Sequence, residues 1–202
     1  MAMPNFAAKW RRFFSAGLIA AFLLGAVAVV VFNATMDWTN TEAFCISCHD
    51  MKGNYAEYQN TIHYTSASGV RATCPDCHVP QEFVPKVVAK IKASNDLLHA
   101  VLGTVDTPEK FNARRAKMAQ SEWQRMKEND SRECRNCHDS SGFDYSAQGY
   151  RAANQHTEAL DTGQTCIDCH KGIAHQLPAI DQGIGTAGGI APEIFKPAAK
   201  KE

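Results

Sequence analysis

Every cysteine of this chain lies in one repeated five-residue motif, Cys-x-x-Cys-His. The four copies span residues 45–49, 74–78, 134–138 and 166–170. Two thiols at this spacing can add across the two vinyl groups of one haem, and the histidine that follows then serves as an axial iron ligand. The motifs therefore predict four covalently bound haem c groups, attached through Cys45, Cys48, Cys74, Cys77, Cys134, Cys137, Cys166 and Cys169.

Two other uses of paired cysteines compete with haem attachment. Two CxxC pairs can form an all-cysteine zinc site, and a single CxxC pair can act as a redox dithiol. Neither use requires histidine as the next residue, yet histidine fills only 8 of 202 positions and follows all four pairs. Disulfides are excluded because no cysteine is left over for them. The pattern favours a tetrahaem c-type cytochrome, which transfers electrons.

The N-terminal region has the composition of a membrane anchor. Lys9, Arg11 and Arg12 precede an uncharged stretch, residues 13–36, that begins with twenty apolar or small residues. That length is enough for a helix to cross the hydrocarbon core, and the basic residues place the N-terminus in the cytoplasm. A cleaved signal peptide would have a shorter apolar region and an A-x-A cleavage site. We expect a retained anchor in the bacterial inner membrane with a periplasmic domain, since c-type maturation is periplasmic.

Composition and periodicity predict a mainly α-helical fold with little or no sheet. We divide the chain into a cytoplasmic N-terminus (1–12), a transmembrane anchor (13–36), a periplasmic tetrahaem domain (37–177) and a flexible tail (178–202). Acidic and basic residues balance at 21 each, so no charge excess points to nucleic acid. Four haems would replace much of the hydrophobic core that a domain of this size needs.

Three helices are predicted between and around the later motifs. An apolar 3.6-residue period runs from Val84 to a stop at Gly103. Thr107-Pro108-Glu109 is a cap, a first-turn proline and an acid, typical of a helix start, and this helix should end near Asn129. A third, shorter helix is expected at residues 145–160. The motif spacings of 29, 60 and 32 residues are typical of two dihaem units.

The histidine count matches two axial ligands for each of four irons. The chain has eight histidines, of which His49, His78, His138 and His170 belong to the motifs. The others are His63, His99, His156 and His175. We expect His63, His156 and His175 to ligate the iron of a neighbouring motif, whereas His99 lies at the edge of an apolar stripe and fits a ligand or a packing residue equally. Met51, two residues after His49, offers a competing thioether ligand.

Several longer segments resemble a known family. TIHYTSASGVRATCPDCHVPQEFVPK, CISCHDM, ECRNCH and TCIDCHKGIAH are similar to segments of the NapC/NirT/NrfH family of membrane-anchored quinol dehydrogenases. DTPEKF and AQSEWQRMKEND resemble the NapC/NirT branch. The likeness extends from the anchor to about Leu177.

The resemblance implies a quinol-oxidising site near the membrane. Family members oxidise membrane quinol at the haem nearest the bilayer and pass electrons to a periplasmic reductase, in the NapC branch nitrate reductase through its dihaem subunit. In the NrfH branch, a methionine at the position of Met51 binds the first iron in place of the motif histidine. Asp76 matches an aspartate near the quinol. A basic residue just before the second motif also acts in quinol oxidation in the family; Arg71 is its nearest match here, where lysine would be expected.

Two functions are compatible with four haem motifs. The resemblance implies a quinol dehydrogenase or electron-transfer subunit that draws on the membrane quinol pool and contacts lipid. The alternative is a catalytic multihaem reductase acting on nitrite or a similar oxyanion. Such enzymes need an open iron position and often carry CxxCK, whereas all four motifs here end in histidine.

Overall fold

The computed structural model describes residues 6–178, with side chains described from Trp10 onward except at residues 11–13. Within this part of the chain the only regular elements are helices, which confirms the mainly α-helical expectation. The flexible tail predicted for residues 178–202 lies outside the described residues, apart from Pro178. The α-helices are α1 (Phe6–Trp38), α2 (Glu42–Cys45), α3 (Met51–Tyr58), α4 (Cys74–His78), α5 (Phe83–Val101), α6 (Pro108–Glu128), α7 (Arg132–Arg135), α8 (Tyr150–Asp161) and α9 (Cys166–Cys169).

Helix α1 is the long apolar helix expected at the N-terminus. Its stretch Phe14–Trp38 is 25 residues long and apolar enough to cross a membrane, and none of it is buried against the rest of the protein. Near its outer end, Asn33 Nδ2 and Thr35 Oγ1 each donate a 2.8 Å hydrogen bond to a backbone carbonyl one turn earlier. These bonds satisfy polar side chains that would otherwise meet lipid.

Helices α5 and α6 begin and end close to their predicted bounds. Leu102 caps α5, and Gly103 follows with φ +65°, a conformation that glycine adopts without steric cost. Thr107 caps α6, because its side chain accepts a 3.3 Å hydrogen bond from the backbone N–H of Lys110. Asn129 is the C-terminal cap of α6. Both predicted helices are confirmed.

The predicted start of the third helix is wrong. Tyr145–Ala147 forms a separate 3₁₀ turn, and α8 begins only at Tyr150. The Asp144 carboxylate accepts hydrogen bonds from the backbone N–H groups of Ser146 and Ala147, which closes the short turn locally. Extended backbone at Gln148 and Gly149 then separates the turn from α8.

The polypeptide buries very little apolar surface by itself. Among the described residues, and apart from two prolines, Tyr58, Met126 and Ile167 are the buried hydrophobic residues. Three such residues are far too few to stabilise a domain of this size. A second apolar component must complete the core, and four porphyrins attached to the motifs fit that requirement.

Candidate haem-binding sites

Each cysteine pair is placed by a short helix, and the helices alternate between two arrangements. In the first and third motifs, α2 and α7 end at or one residue after the first cysteine, Cys45 or Cys134. In the second and fourth motifs, α4 and α9 begin at the first cysteine, Cys74 or Cys166. The local structure therefore repeats as a pair, in agreement with the repeated short spacing of the motifs.

The second and fourth motifs begin with the same capping box. Asp76 Oδ2 accepts hydrogen bonds of 2.6 Å from both the backbone N–H and the hydroxyl of Thr73. Asp168 Oδ2 makes the equivalent bonds to Thr165, at 2.9 and 3.0 Å. The Thr-Cys-x-Asp pattern is readable in the sequence as a capping box. Asp76 thus has a structural role that the family resemblance did not include.

Motifs that follow one another along the chain also lie next to one another in space. Helix α2 contacts α4, and α4 contacts α7. The thiols of Cys45 and Cys74 interact with each other, as do those of Cys134 and Cys166. All eight cysteines are free of disulfides. Within residues 6–178, no three His, Cys, Asp or Glu side chains are grouped so that they could hold a metal ion.

Three histidine pairs have the spacing expected of two imidazoles that share one iron. The ring centroids are 6.1 Å apart for His63 and His138, 6.2 Å for His78 and His175, and 5.9 Å for His156 and His170. Metal–nitrogen bonds of about 2 Å on opposite sides of one ion place two ring centroids about 6 Å apart. The residues present therefore fit three irons with two histidine ligands each.

Three of the four histidines outside the motifs each lie opposite the histidine of one motif. His63 lies opposite the third motif, and His175 lies opposite the second motif although it follows the fourth. His156 lies opposite His170, the histidine of the motif that comes next in the chain. Burial lowers the pKa of both His63 and His175, which favours the neutral imidazole that binds metals.

A carboxylate on α6 holds the second motif's histidine. Glu122 Oε1 lies 2.9 Å from His78 Nδ1, and Arg125 donates to the same carboxylate at 2.7 and 2.9 Å. Burial opposes ionisation of Glu122, but the hydrogen bonds from His78 and Arg125 outweigh it and lower its pKa to about 2. With Nδ1 engaged, Nε2 of His78 is the nitrogen left for iron. The sequence offered no signal for Glu122, because the contact joins residues 44 positions apart.

The surroundings of His49 differ from those of the other motif histidines. Its Nδ1 contacts the carboxylate of Asp50, and Asp106 lies near enough to interact electrostatically. Within residues 6–178, no histidine ring lies opposite His49 at the spacing of the three pairs. Met51 begins α3 and is 39% exposed. His99 is exposed on α5 with its Nδ1 3.0 Å from Thr104 Oγ1.

Arg71 lies beside the first motif within an aromatic cluster. Its guanidinium forms an ion pair with Glu42, three residues before Cys45, and lies 4.1 Å from the centre of the Tyr64 ring. Tyr55 contributes its hydroxyl 3.4 Å from the same guanidinium. These contacts orient the Arg71 guanidinium beside the first motif, in the part of the domain that follows α1.

Lys90 is a polar residue near the first motif that the sequence analysis did not single out. Its Nζ donates a 2.6 Å hydrogen bond to the backbone carbonyl of Thr39, directly after the anchor helix. The pKa of Lys90 is lowered, because the effect of burial outweighs the opposing effect of the nearby Cys45. Lys90 interrupts the apolar pattern of α5, which was the only signal for it in the sequence.

Comparisons with known proteins identify the family and several relatives of this chain. Residues 9–180 match the family described as the NapC/NirT cytochrome c family, N-terminal region. The chain is 54% identical to Cytochrome c-type protein NapC of Escherichia coli K12 over 174 residues, which cover 84% of this chain and 87% of that protein.

Two further relatives have different names. Denitrification system component NirT of Stutzerimonas stutzeri is 52% identical over 162 residues, 80% of this chain and 81% of that protein. Cytochrome c-type protein TorC of Escherichia coli K12 is 46% identical over 162 residues, which cover 80% of this chain but only 42% of TorC. No solved structure matches this chain significantly.

Proposed function

Because this chain belongs to the NapC/NirT cytochrome c family, we propose that it oxidises membrane quinol and passes the electrons through four haems to a periplasmic nitrate reductase. The observation that carries this function is the order of the motifs. The first motif follows the anchor helix α1 within a few residues, and the others are adjacent in chain order. The protein is anchored by α1, with the tetrahaem domain on the periplasmic side.

The cysteines and histidines would hold the four haems. When bound, each haem takes up and releases one electron at its iron. We assign the axial pairs as His63 with His138, His78 with His175, and His156 with His170, supported by the ring spacings. For the first motif, His49, Met51 and His99 remain the candidate ligands.

The quinol site is proposed at the junction of α1, the first motif and the second motif. Oxidation of quinol releases two protons, so an acceptor is needed near the first haem. Asp76 is the proposed acceptor, although its Oδ2 already caps α4 through Thr73. Arg71 and Lys90 place two cationic groups beside the same motif, where they can orient a quinol oxygen.

The proton-acceptor role can be separated from the capping role by a matched pair of variants. Asp76→Asn and Asp168→Asn remove the same carboxylate from two equivalent capping boxes, and only Asp76 is close to the membrane end. We expect Asp76→Asn to slow oxidation of a menaquinol or ubiquinol analogue while reduction by dithionite stays unchanged. Asp168→Asn should oxidise quinol at the wild-type rate. Equal quinol oxidation rates in the two variants, at matched haem content, would remove the proton-acceptor role from Asp76.

The electron acceptor is proposed to be a periplasmic nitrate reductase, reached through a dihaem subunit. This partner rests on the similarity to NapC over most of both chains. Adding that reductase and excess nitrate to the quinol-reduced protein should reoxidise its haems, with two electrons consumed for each nitrate reduced to nitrite. Failure to reoxidise, with a functional reductase from another electron donor, would assign this chain to a different acceptor.

The alternative function, direct reduction of nitrite or another oxyanion, has less support. Such catalysis needs an iron with an open position, and three of the four motif histidines face a second histidine ring. Addition of nitrite to the reduced protein should leave its haem spectrum unchanged. A stable nitrite-induced shift with turnover would favour the reductase.

A further inference from the structure

Helix α5 carries an exposed apolar stripe that the proposed function does not use. Val84, Val88, Ile91 and Leu98 recur at intervals that place them on one face of a helix with 3.6 residues per turn. Their exposed fractions are 68%, 45%, 66% and 53%. Four large aliphatic side chains on one helix face form a patch that an isolated soluble domain rarely leaves uncovered.

The stripe points away from the side of α5 that packs on the first motif. Lys90 marks the packed side, because it bonds Thr39 and lies near Cys45. On a helical wheel Ile91 is about 100° from Lys90, and Val88 is farther still. The side chains of Lys86, Ala89 and Lys90 are half-buried, whereas those of Val88 and Ile91 are exposed. A haem of the first motif that lies on the Lys90 side of α5 would therefore not cover the stripe.

The N-terminal end of α5 is joined to the membrane anchor. The Phe83 ring packs edge-on against Phe32 of α1, with centroids 6.3 Å apart. Phe32 is the last residue of the uninterrupted apolar run of α1, so it marks the edge of the hydrocarbon. Phe83 is itself 62% exposed, and Val84 follows it directly. The stripe therefore continues the lipid-facing surface of α1.

We propose that α5 is an interfacial helix whose stripe of Val84, Val88, Ile91 and Leu98 is buried in the periplasmic leaflet beside α1. A soluble partner would have to displace lipid from the edge of the bilayer to cover the same residues. Lys92 on the flank of the stripe can extend its charged end to phosphate headgroups while its aliphatic stem remains in the interface. The contact fixes the domain's tilt and holds the first motif at the membrane surface.

The test uses the full-length holoprotein in vesicles of phosphatidylethanolamine and phosphatidylglycerol. A photo-crosslinking benzoylphenylalanine replaces Ile91 or Val84, one at a time, and lipid adducts are measured by mass spectrometry at matched haem content. Tyr150 on α8 is the control position, because its side chain is 84% exposed and lies far along the chain from the anchor. The readout does not depend on quinol oxidation, so it is independent of the proposed function.

We expect several-fold more lipid adduct at Ile91 and Val84 than at Tyr150. Equal lipid labelling at all three positions would overturn the proposal. Adducts to a second copy of this chain at Ile91 would also overturn it, since the stripe would then be a dimer contact. The two stripe positions report independently, so loss of haem in one variant leaves the other to decide.

Discussion

Replacing Glu122 by glutamine should raise the reduction potential of the haem that His78 would ligate. The Glu122 carboxylate lies 2.9 Å from His78 Nδ1 and is ionised throughout the neutral range, because its pKa is lowered to about 2. A carboxylate that accepts this hydrogen bond increases the electron donation of the imidazole and stabilises the ferric state. Glutamine keeps the length and an acceptor oxygen but removes the negative charge.

The size of the shift follows from the distances. The carboxylate lies about 7 Å from the midpoint between the His78 and His175 rings. This distance combines half of the 6.2 Å between the ring centroids, the distance from the His78 centroid to its Nδ1, and the 2.9 Å contact from Nδ1 to the carboxylate. A unit charge at that distance contributes about 2 kcal/mol at an effective dielectric constant near 20, or about 100 mV for one electron. Because the Glu122 side chain is 29% exposed, solvent screening reduces the rise to several tens of millivolts.

The assay is a redox titration of the purified holoprotein followed by optical and paramagnetic resonance spectroscopy. Glu128→Gln on the same helix is the matched control, since Glu128 contacts Gln124 and no histidine. One of the four components should move to higher potential in Glu122→Gln, while Glu128→Gln should titrate like the wild type. Arg125 keeps a contact to Glu133 in the variant, at 3.3 Å, which helps to hold the end of α6.

Unchanged potentials in Glu122→Gln, with four haems attached, would refute this reasoning. An equal shift in Glu122→Gln and Glu128→Gln would also refute it, because a general change of surface charge would then explain the result. A shift toward lower potential would contradict the sign of the charge effect.

Three further predictions concern ligation and stability. His175→Ala should turn one low-spin haem high-spin without loss of covalent attachment; four undisturbed low-spin signals would remove His175 from the ligands. Arg115→Met should destabilise the domain by roughly 2 kcal/mol, measured by denaturant unfolding, because Arg115 pairs with the half-buried Glu57 and donates to Gln176 O at 2.7 Å. Burial opposes ionisation of Glu57, but Arg115 lowers its pKa in the folded protein. The stabilisation from this ion pair is therefore present above the ordinary carboxyl pKa and is lost as the pH falls. The difference in unfolding free energy between the wild type and Arg115→Met should accordingly disappear in acid. Gly103→Ala should cost about 1–2 kcal/mol, seen as a lower thermal midpoint, since φ is +65° and a Cβ would lie 2.9 Å from Asp106 Oδ2; an unchanged midpoint would contradict it.

The sequence alone determined the cofactor, the anchor and the bounds of α5 and α6. Covalent haem attachment is written in five consecutive residues, and a membrane span in one uninterrupted apolar run, so both can be read locally. Thr107, Pro108 and Gly103 marked helix ends because capping involves only neighbouring residues. The predicted start of α8 was wrong because a competing local hydrogen bond, from the backbone N–H of Ser146 to the Asp144 carboxylate, closed a separate turn.

Tertiary structure decided which residues face each other. The histidine count predicted paired ligands, but the partner of His175 is His78, almost a hundred residues earlier, and sequence spacing carries no information about such contacts. Glu122 and Lys90 acquired their roles in the same way, through contacts with His78 and Thr39 that join separate elements. Local patterns therefore determined the haem motifs, the anchor and the helix ends, whereas long-range packing determined which histidine rings face each other and which charge lies beside them.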